Sequence, residues 1–167
     1  MLEFFSIDPF KWSSIGTALL CGCIVGMERQ IRGKPVGIRT STLIMLGTYL
    51  FVTASLSLHN IQTDPSRIIG QVVTGVGFLG AGVMLAKDGM VVGVTSAATI
   101  WGIAAIGVVI AVVGNAVAMK LSVVIVGILY GVDLLEDYST TFSRGVHSRY
   151  EYWRKKNRND STKKKPL

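Results

Sequence analysis

Two stretches of this chain carry no charge at all: 19 residues from Ile68 to Ala86 and 30 from Met90 to Met119. About 20 helical residues cross the hydrocarbon core of a bilayer, so apolar runs of this length read as membrane spans. Composition points the same way. Half of the 167 residues are apolar and only 16% are charged, against about a quarter in a soluble domain. The fold class expected is all-α: a polytopic membrane protein built as a five-helix transmembrane bundle with a basic cytoplasmic tail.

The spans are expected at about 9–27, 40–58, 65–86, 95–113 and 115–135, which makes residues 1–137 the transmembrane domain. Asp64-Pro65 reads as an N-cap followed by proline at the first helical position, and Thr40 and Thr95 are candidate caps for the second and fourth helices. Lys87-Asp88-Gly89 is a turn signal, and Gly114-Asn115 separates the last two spans. The N-terminal stretch MLEFFSIDPFKW lacks a basic n-region, so the first apolar run is expected to stay in the mature protein. Cys21 and Cys23 point to opposite sides of a helix and cannot bridge each other there.

Charge sets the expected orientation. The first connection holds Arg29, Arg32, Lys34 and Arg39, and the tail after Leu135 holds nine more basic residues. With five spans these fall on one side together with Lys87, which collects fourteen of the 17 basic residues. The positive-inside bias then places the N-terminus outside and the C-terminus in the cytoplasm. From Tyr138 onward nine basic residues face Glu151 and Asp160, so the tail accounts for the whole net charge of +7. Residues 138–167 are expected to form a basic juxtamembrane and disordered tail. Phe142, Val146, Tyr150 and Trp153 recur at helical spacing within it. Such a tail suits anionic lipid, and no nucleic-acid partner is expected.

The third span contains Gly75-Val76-Gly77-Phe78-Leu79-Gly80, a literal G-x-G-x-x-G. A dinucleotide fingerprint needs a strand before it, a helix opening at it and an acid about 20 residues on. Here the chain stays apolar to Ala86 and the first acid, Asp88, comes far too early. Close helix packing is the better reading, because small residues let backbones approach each other in lipid. Gly70, Gly75, Gly77, Gly80, Ala81 and Gly82 are the packing candidates, with Gly70, Thr74, Gly77 and Ala81 on one stripe. That stripe makes the third helix the expected centre of the bundle. Gly22–Gly26 and Gly127–Gly131 repeat the G-x-x-x-G spacing in the first and fifth helices.

Polar groups inside such a bundle are functional candidates by default. One layer is expected at the outer side, around Asp64, Arg67 and Gln71. A second is expected at the cytoplasmic side, where Glu28 and Arg29 end the first helix, Arg39 and Thr40 begin the second, and Thr95 and Thr99 open the fourth. No serine–histidine–acid set, metal-ligand spacing or phosphate loop is present, so neither an enzyme nor a cofactor or metal site is expected. The carboxylates sit at helix ends, and the midplane offers only Gln71, Thr74 and backbone groups to a cation.

Three blocks then carry a resemblance: GMERQIRGKPVGIRT from Gly26 to Thr40, DPSRIIGQVVTGVGFLGAG from Asp64 to Gly82, and GVTSAATIW from Gly93 to Trp101. In these the chain resembles the MgtC/SapB family of bacterial inner-membrane proteins. The resemblance implies a five-helix integral domain in the inner membrane. It also implies a link to magnesium-limited growth and to survival in acid or inside host cells. Regulation of other membrane proteins, including the ATP synthase, is the role it suggests, with transport of Mg2+ or another cation or small solute as the alternative. From the glycine-lined helices, the partners expected are the bilayer and a membrane protein or a second copy of the chain. Carried across the motifs, Glu28, Arg29, Arg39, Thr40, Asp64, Arg67, Gln71, Thr95 and Thr99 become the site candidates. Ser96 stands where the family often has threonine, and a basic tail of about 30 residues stands where longer members carry a soluble cytoplasmic domain.

Overall fold

Helices dominate because the apolar runs have no other way to satisfy their backbone in lipid. In the computed structural model, which describes residues 6–58, 64–87 and 90–138, five helices follow one another. They are α1 (Trp12–Ile31), α2 (Ile38–Ser57), α3 (Pro65–Val83), α4 (Val94–Val112) and α5 (Asn115–Tyr138). Between α3 and α4 lie two short strands, β1 (Leu85–Lys87) and β2 (Met90–Val92), paired antiparallel with Leu85 opposite Val92. The basic tail from residue 139, with its spaced aromatic residues, lies outside the described residues.

Four helices are long and apolar enough to cross a membrane: Ile38–Ser57, Ser66–Val83, Val94–Val112 and Asn115–Val132. At 1.5 Å per residue, 20 residues of α2 extend about 30 Å, the thickness of a hydrocarbon core. The first helix is equally long, but a start rich in serine and a last turn holding Glu28 and Arg29 dilute its apolar character.

Helix starts are set differently from what the threonines suggest. Asp64 caps α3 as expected, its carboxylate accepting the Ser66 N–H with Pro65 in the first turn. For α2 and α4, however, the capping positions are Gly37 and Gly93, neither with a side-chain bond. Thr40 and Thr95 are already inside their helices. Gly93 adopts a left-handed φ of 94°, and a Cβ there would run into the Val83 carbonyl. That is how the hairpin closes: the chain leaves α3 three residues earlier than its apolar run suggests, makes two strands and turns sharply into α4.

The centre of the bundle is α2 with α4, flanked by α1 on one side and α3 on the other. Met45, Val52, Ile100, Ile103 and Ile106 are all but fully buried there. Among the described residues, the backbones of α1, α2 and α4 touch one another at three glycines. A Cβ on Gly22 would stand 2.6 Å from Thr42 Cα, one on Gly26 2.5 Å from Ile38 Cα, and one on Gly107 2.7 Å from the Met45 carbonyl. The expectation of a central third helix is therefore corrected. Among the described residues there is open space beside Gly70, Gly75, Gly77 and Gly82, and of the glycines of α3 only Gly80 meets a neighbour, Ala97, at an ordinary 3.6 Å. The stripe of Gly70, Thr74, Gly77 and Ala81 is exposed on this chain.

Residues up to Gly127 form one compact unit, and those from Ile128 form a second. Within the first, α5 contributes Ala118 and Ser122, both fully buried.

Candidate functional site

The polar groups that the bundle does bury lie where α1 ends and α2 and α4 begin. Spacing puts them there. Gly22, Gly26 and Arg29 follow at steps of four and three, so the face of α1 that is pressed against α2 continues into Arg29. Arg29 is 3% exposed, and its Nη2 donates to Ser96 Oγ in the first turn of α4 at 2.7 Å. A buried guanidinium requires such acceptors, because leaving a charged donor unmet costs more than the bond gains.

Glu28 is also buried. Its Oε1 lies 2.9 Å from Arg32 Nε, one turn on in the same helix. That pairing is electrostatic and lacks hydrogen-bond geometry, so both carboxylate oxygens are buried without a hydrogen bond among the described residues. Thr99, one turn into α4 and 4% exposed, turns its hydroxyl back onto the Thr95 carbonyl at 2.7 Å.

The connection between α1 and α2 is tied down around this layer. Gln30 Oε1 accepts the Ile38 N–H at 3.3 Å, and Ser41 donates to the Val36 carbonyl at 3.1 Å, both ends buried. Val36 itself has φ 69°, a left-handed conformation that β-branched residues rarely adopt.

The expected site residues thus separate. Glu28, Arg29 and Thr99 are each buried at this end of the bundle, whereas Arg39, Thr40 and Thr95 stand at the same end with exposed side chains. At the opposite end of the bundle, Asp64, Arg67 and Gln71 are all exposed on this chain. Asp64 is held by Ser66, whose hydroxyl donates to Oδ2 at 2.7 Å and whose N–H donates to Oδ1 at 2.9 Å. These bonds, the hydroxyl first, hold the carboxyl below the usual aspartate range. Gln71 lies on the wall of an apolar groove of about 700 Å³ between α2 and α3, which Phe51, Leu58 and Leu79 also line.

Ser96 is the residue that site reasoning from sequence passed over, since it reads as a substitution in a threonine-rich turn. The signal was the phase of Arg29. An arginine continuing a glycine packing face has to meet a polar group on a neighbouring helix.

The sequence profile of the MgtC family matches residues 15–138, from within the first turn of α1 to the end of α5. The chain belongs to the MgtC family. Among curated relatives, it is 54% identical over 100 residues to the "Putative magnesium transporter YhiD" of Escherichia coli K12, covering 56% of this chain and 46% of that protein. It is 36% identical over 115 residues to "Protein SapB" of Bacillus subtilis, covering 64% of this chain and 50% of that protein. It is 44% identical over 91 residues to "Protein MgtC" of Brucella abortus, covering 54% and 38%. These matches span about half or less of the relatives' own length. No solved structure matches the chain. As a member of the MgtC family with four helices long and apolar enough to span, the chain is a multi-pass membrane protein.

Proposed function

We propose that this MgtC-family chain is a non-enzymatic membrane factor, linked to magnesium limitation or to acid and host stress, that acts by packing against another membrane protein. The observation that carries this reading is the exposed small-residue face of α3. Each glycine in a helix interior costs roughly 1 kcal/mol relative to alanine on scales measured in water. Gly70, Gly75, Gly77 and Gly82 recover none of it from neighbours among the described residues, since none of these lies within 4 Å of where their Cβ would be. Close approach by an outside helix is the physical use such a face has in lipid. The name of one relative, "Putative magnesium transporter YhiD", supports the magnesium link. The orientation proposed is N-terminus outside and C-terminus in the cytoplasm of a bacterial plasma membrane, with the tail on anionic lipid. It rests on the basic residues between α1 and α2 and beyond α5.

Affinity purification from gently solubilised membranes tests the reading. A membrane protein or a second copy is expected to co-purify, and to be lost in Gly77→Leu while the variant itself still folds. Recovery of the lone monomer from wild type would overturn it.

Transport of Mg2+ or another small solute is the second reading, and Glu28 favours it: a carboxylate buried without a hydrogen bond is an unusual feature to keep. Its ion pair with Arg32 at 2.9 Å weighs against a bound cation, which would compete with the guanidinium. Liposomes containing the protein separate the two. Flux that disappears in Glu28→Gln establishes transport, and no flux across a panel of ions removes it.

A further inference from the structure

At the end of the bundle opposite Glu28 and Arg29, α1 begins, α4 ends and α5 begins around a polar cavity of about 440 Å³. Lys11, Ser13, Tyr49 and Asn115 reach its wall. We propose that this cavity binds a phosphate ester, the chemistry shared by a phospholipid headgroup and a free glycerophosphate.

Hydrogen-bond inventory is the first reason. Tyr49 is 2% exposed, and its hydroxyl oxygen accepts the Lys11 N–H at 3.0 Å. Among the described residues its own O–H finds no acceptor. Asn115 Oδ1 accepts from Ser14 Oγ at 3.1 Å, which leaves the two amide hydrogens on Nδ2 to donate. Lys11 adds three more donors from its ammonium group. The lining thus holds donors that the chain does not use. Of the three residues only Tyr49 is buried, Lys11 being exposed and Asn115 half-buried, and a buried donor without an acceptor is costly. An oxygen-rich ligand supplies what is missing.

Charge is the second. The N-termini of α1 and α5 each bring about +0.5 elementary charge and the C-terminus of α4 about −0.5, so with Lys11 the groups on the wall sum to about +1.5 in nominal terms. The Asp8 carboxylate, three residues before Lys11, lowers that sum. No side chain caps α1, and the acid in the approach to it, Asp8, accepts a hydrogen bond from Ser6 at 2.8 Å. Helix N-termini with a nearby cation are phosphate sites by their physics. Position is the third reason. Helices of 18 to 20 residues match the hydrocarbon thickness, so their ends, and with them this cavity, lie at the level of headgroup phosphates.

Thermal unfolding of the purified full chain in neutral detergent tests the site with three probes: phosphatidylglycerol, diacylglycerol and free glycerol 3-phosphate. Stabilisation by a phosphate-bearing probe and none by diacylglycerol is expected. The midpoint concentration should rise about tenfold or more in Lys11→Gln combined with Tyr49→Phe. Lys34→Gln, which removes the same charge at the other end, should leave it unchanged. Response to phosphatidylglycerol alone assigns the ligand to lipid, and response to glycerol 3-phosphate assigns it to a solute. Lys11→Gln by itself changes an exposed side chain and keeps the result readable if the double variant folds poorly. The proposal fails if no phosphate probe stabilises the protein, if diacylglycerol does so equally, or if Lys34→Gln weakens binding as much as the cavity variants.

Discussion

Arg29 and Ser96, 67 positions apart in the chain, are joined by a buried hydrogen bond of 2.7 Å that ties the last turn of α1 to the first turn of α4. The bond links two of the three family-like blocks read from the sequence, and it gives the charged end of α1 a structural reason to exist inside a membrane bundle.

Ser96→Ala should therefore destabilise the folded protein by about 1.5–3 kcal/mol, the range for a hydrogen bond to a charged group. Denaturant unfolding in detergent micelles measures it. Thr95→Ala, one residue away and exposed, is the control and should stay within about 0.5 kcal/mol of wild type.

Glycines at two places should respond oppositely to alanine. Gly26→Ala places a methyl 2.5 Å from Ile38 Cα and Gly22→Ala 2.6 Å from Thr42 Cα, so α1 and α2 have to separate. Loss of more than about 1–3 kcal/mol is expected, as for overpacking generally. Gly75→Ala meets nothing within 4 Å and should leave the isolated chain as stable as before, or raise its stability by up to about 1 kcal/mol. Comparing unfolding midpoints of the three variants settles the point.

The hairpin between α3 and α4 depends on Gly93. Its φ of 94° disfavours any residue with a Cβ, and the Val83 carbonyl occupies the space such an atom would take. Gly93→Ala should cost more than the roughly 1–2 kcal/mol of left-handed backbone strain alone. Hydrogen exchange at Ala86 and Val91, which pair across the strands, should accelerate in the variant.

Asp64 gives a pH dependence with a definite sign. Its carboxyl is held below the ordinary value by bonds from Ser66 that favour the ionised form, so the folded state binds its proton less readily than the unfolded chain. The contribution is complete above the unfolded value of about 3.9. It is lost as pH falls through the lower, folded one. In Asp64→Asn this acid-side loss should vanish while the cap remains, since asparagine caps as well as aspartate. Following the α3 amides by NMR as pH is lowered would reveal it, and an unchanged acid profile in the variant would refute it.

Much of this fold is legible before any coordinates. The uncharged runs announce the spans, and Asp64-Pro65 announces the start of α3 because a cap and a proline act locally. What sequence could not settle is which helix sits in the middle. The glycine-dense α3 has the stronger small-residue pattern, yet close packing falls on Gly22, Gly26 and Gly107, because contact depends on which neighbour faces a residue and composition does not record that. The same limit hid the Arg29–Ser96 pair while making Glu28, Arg29 and Thr99 recognisable as one level. Arg39, Thr40 and Thr95 belong to that level by sequence position but point outward. Lys87-Asp88-Gly89 marks a turn in the sequence, but the two strands between α3 and α4 are not legible there, because three residues are too few to show an alternating pattern.

The central claim is that the open face of α3 is an interface with another protein. A photoreactive amino acid placed at Gly77 in living cells tests it most directly, with Val123 on the exposed side of α5 as the reference position. Cross-linking at Gly77 should capture a membrane protein or a second copy of this chain at several times the yield seen at Val123. Adducts with lipid alone at both positions would contradict the account.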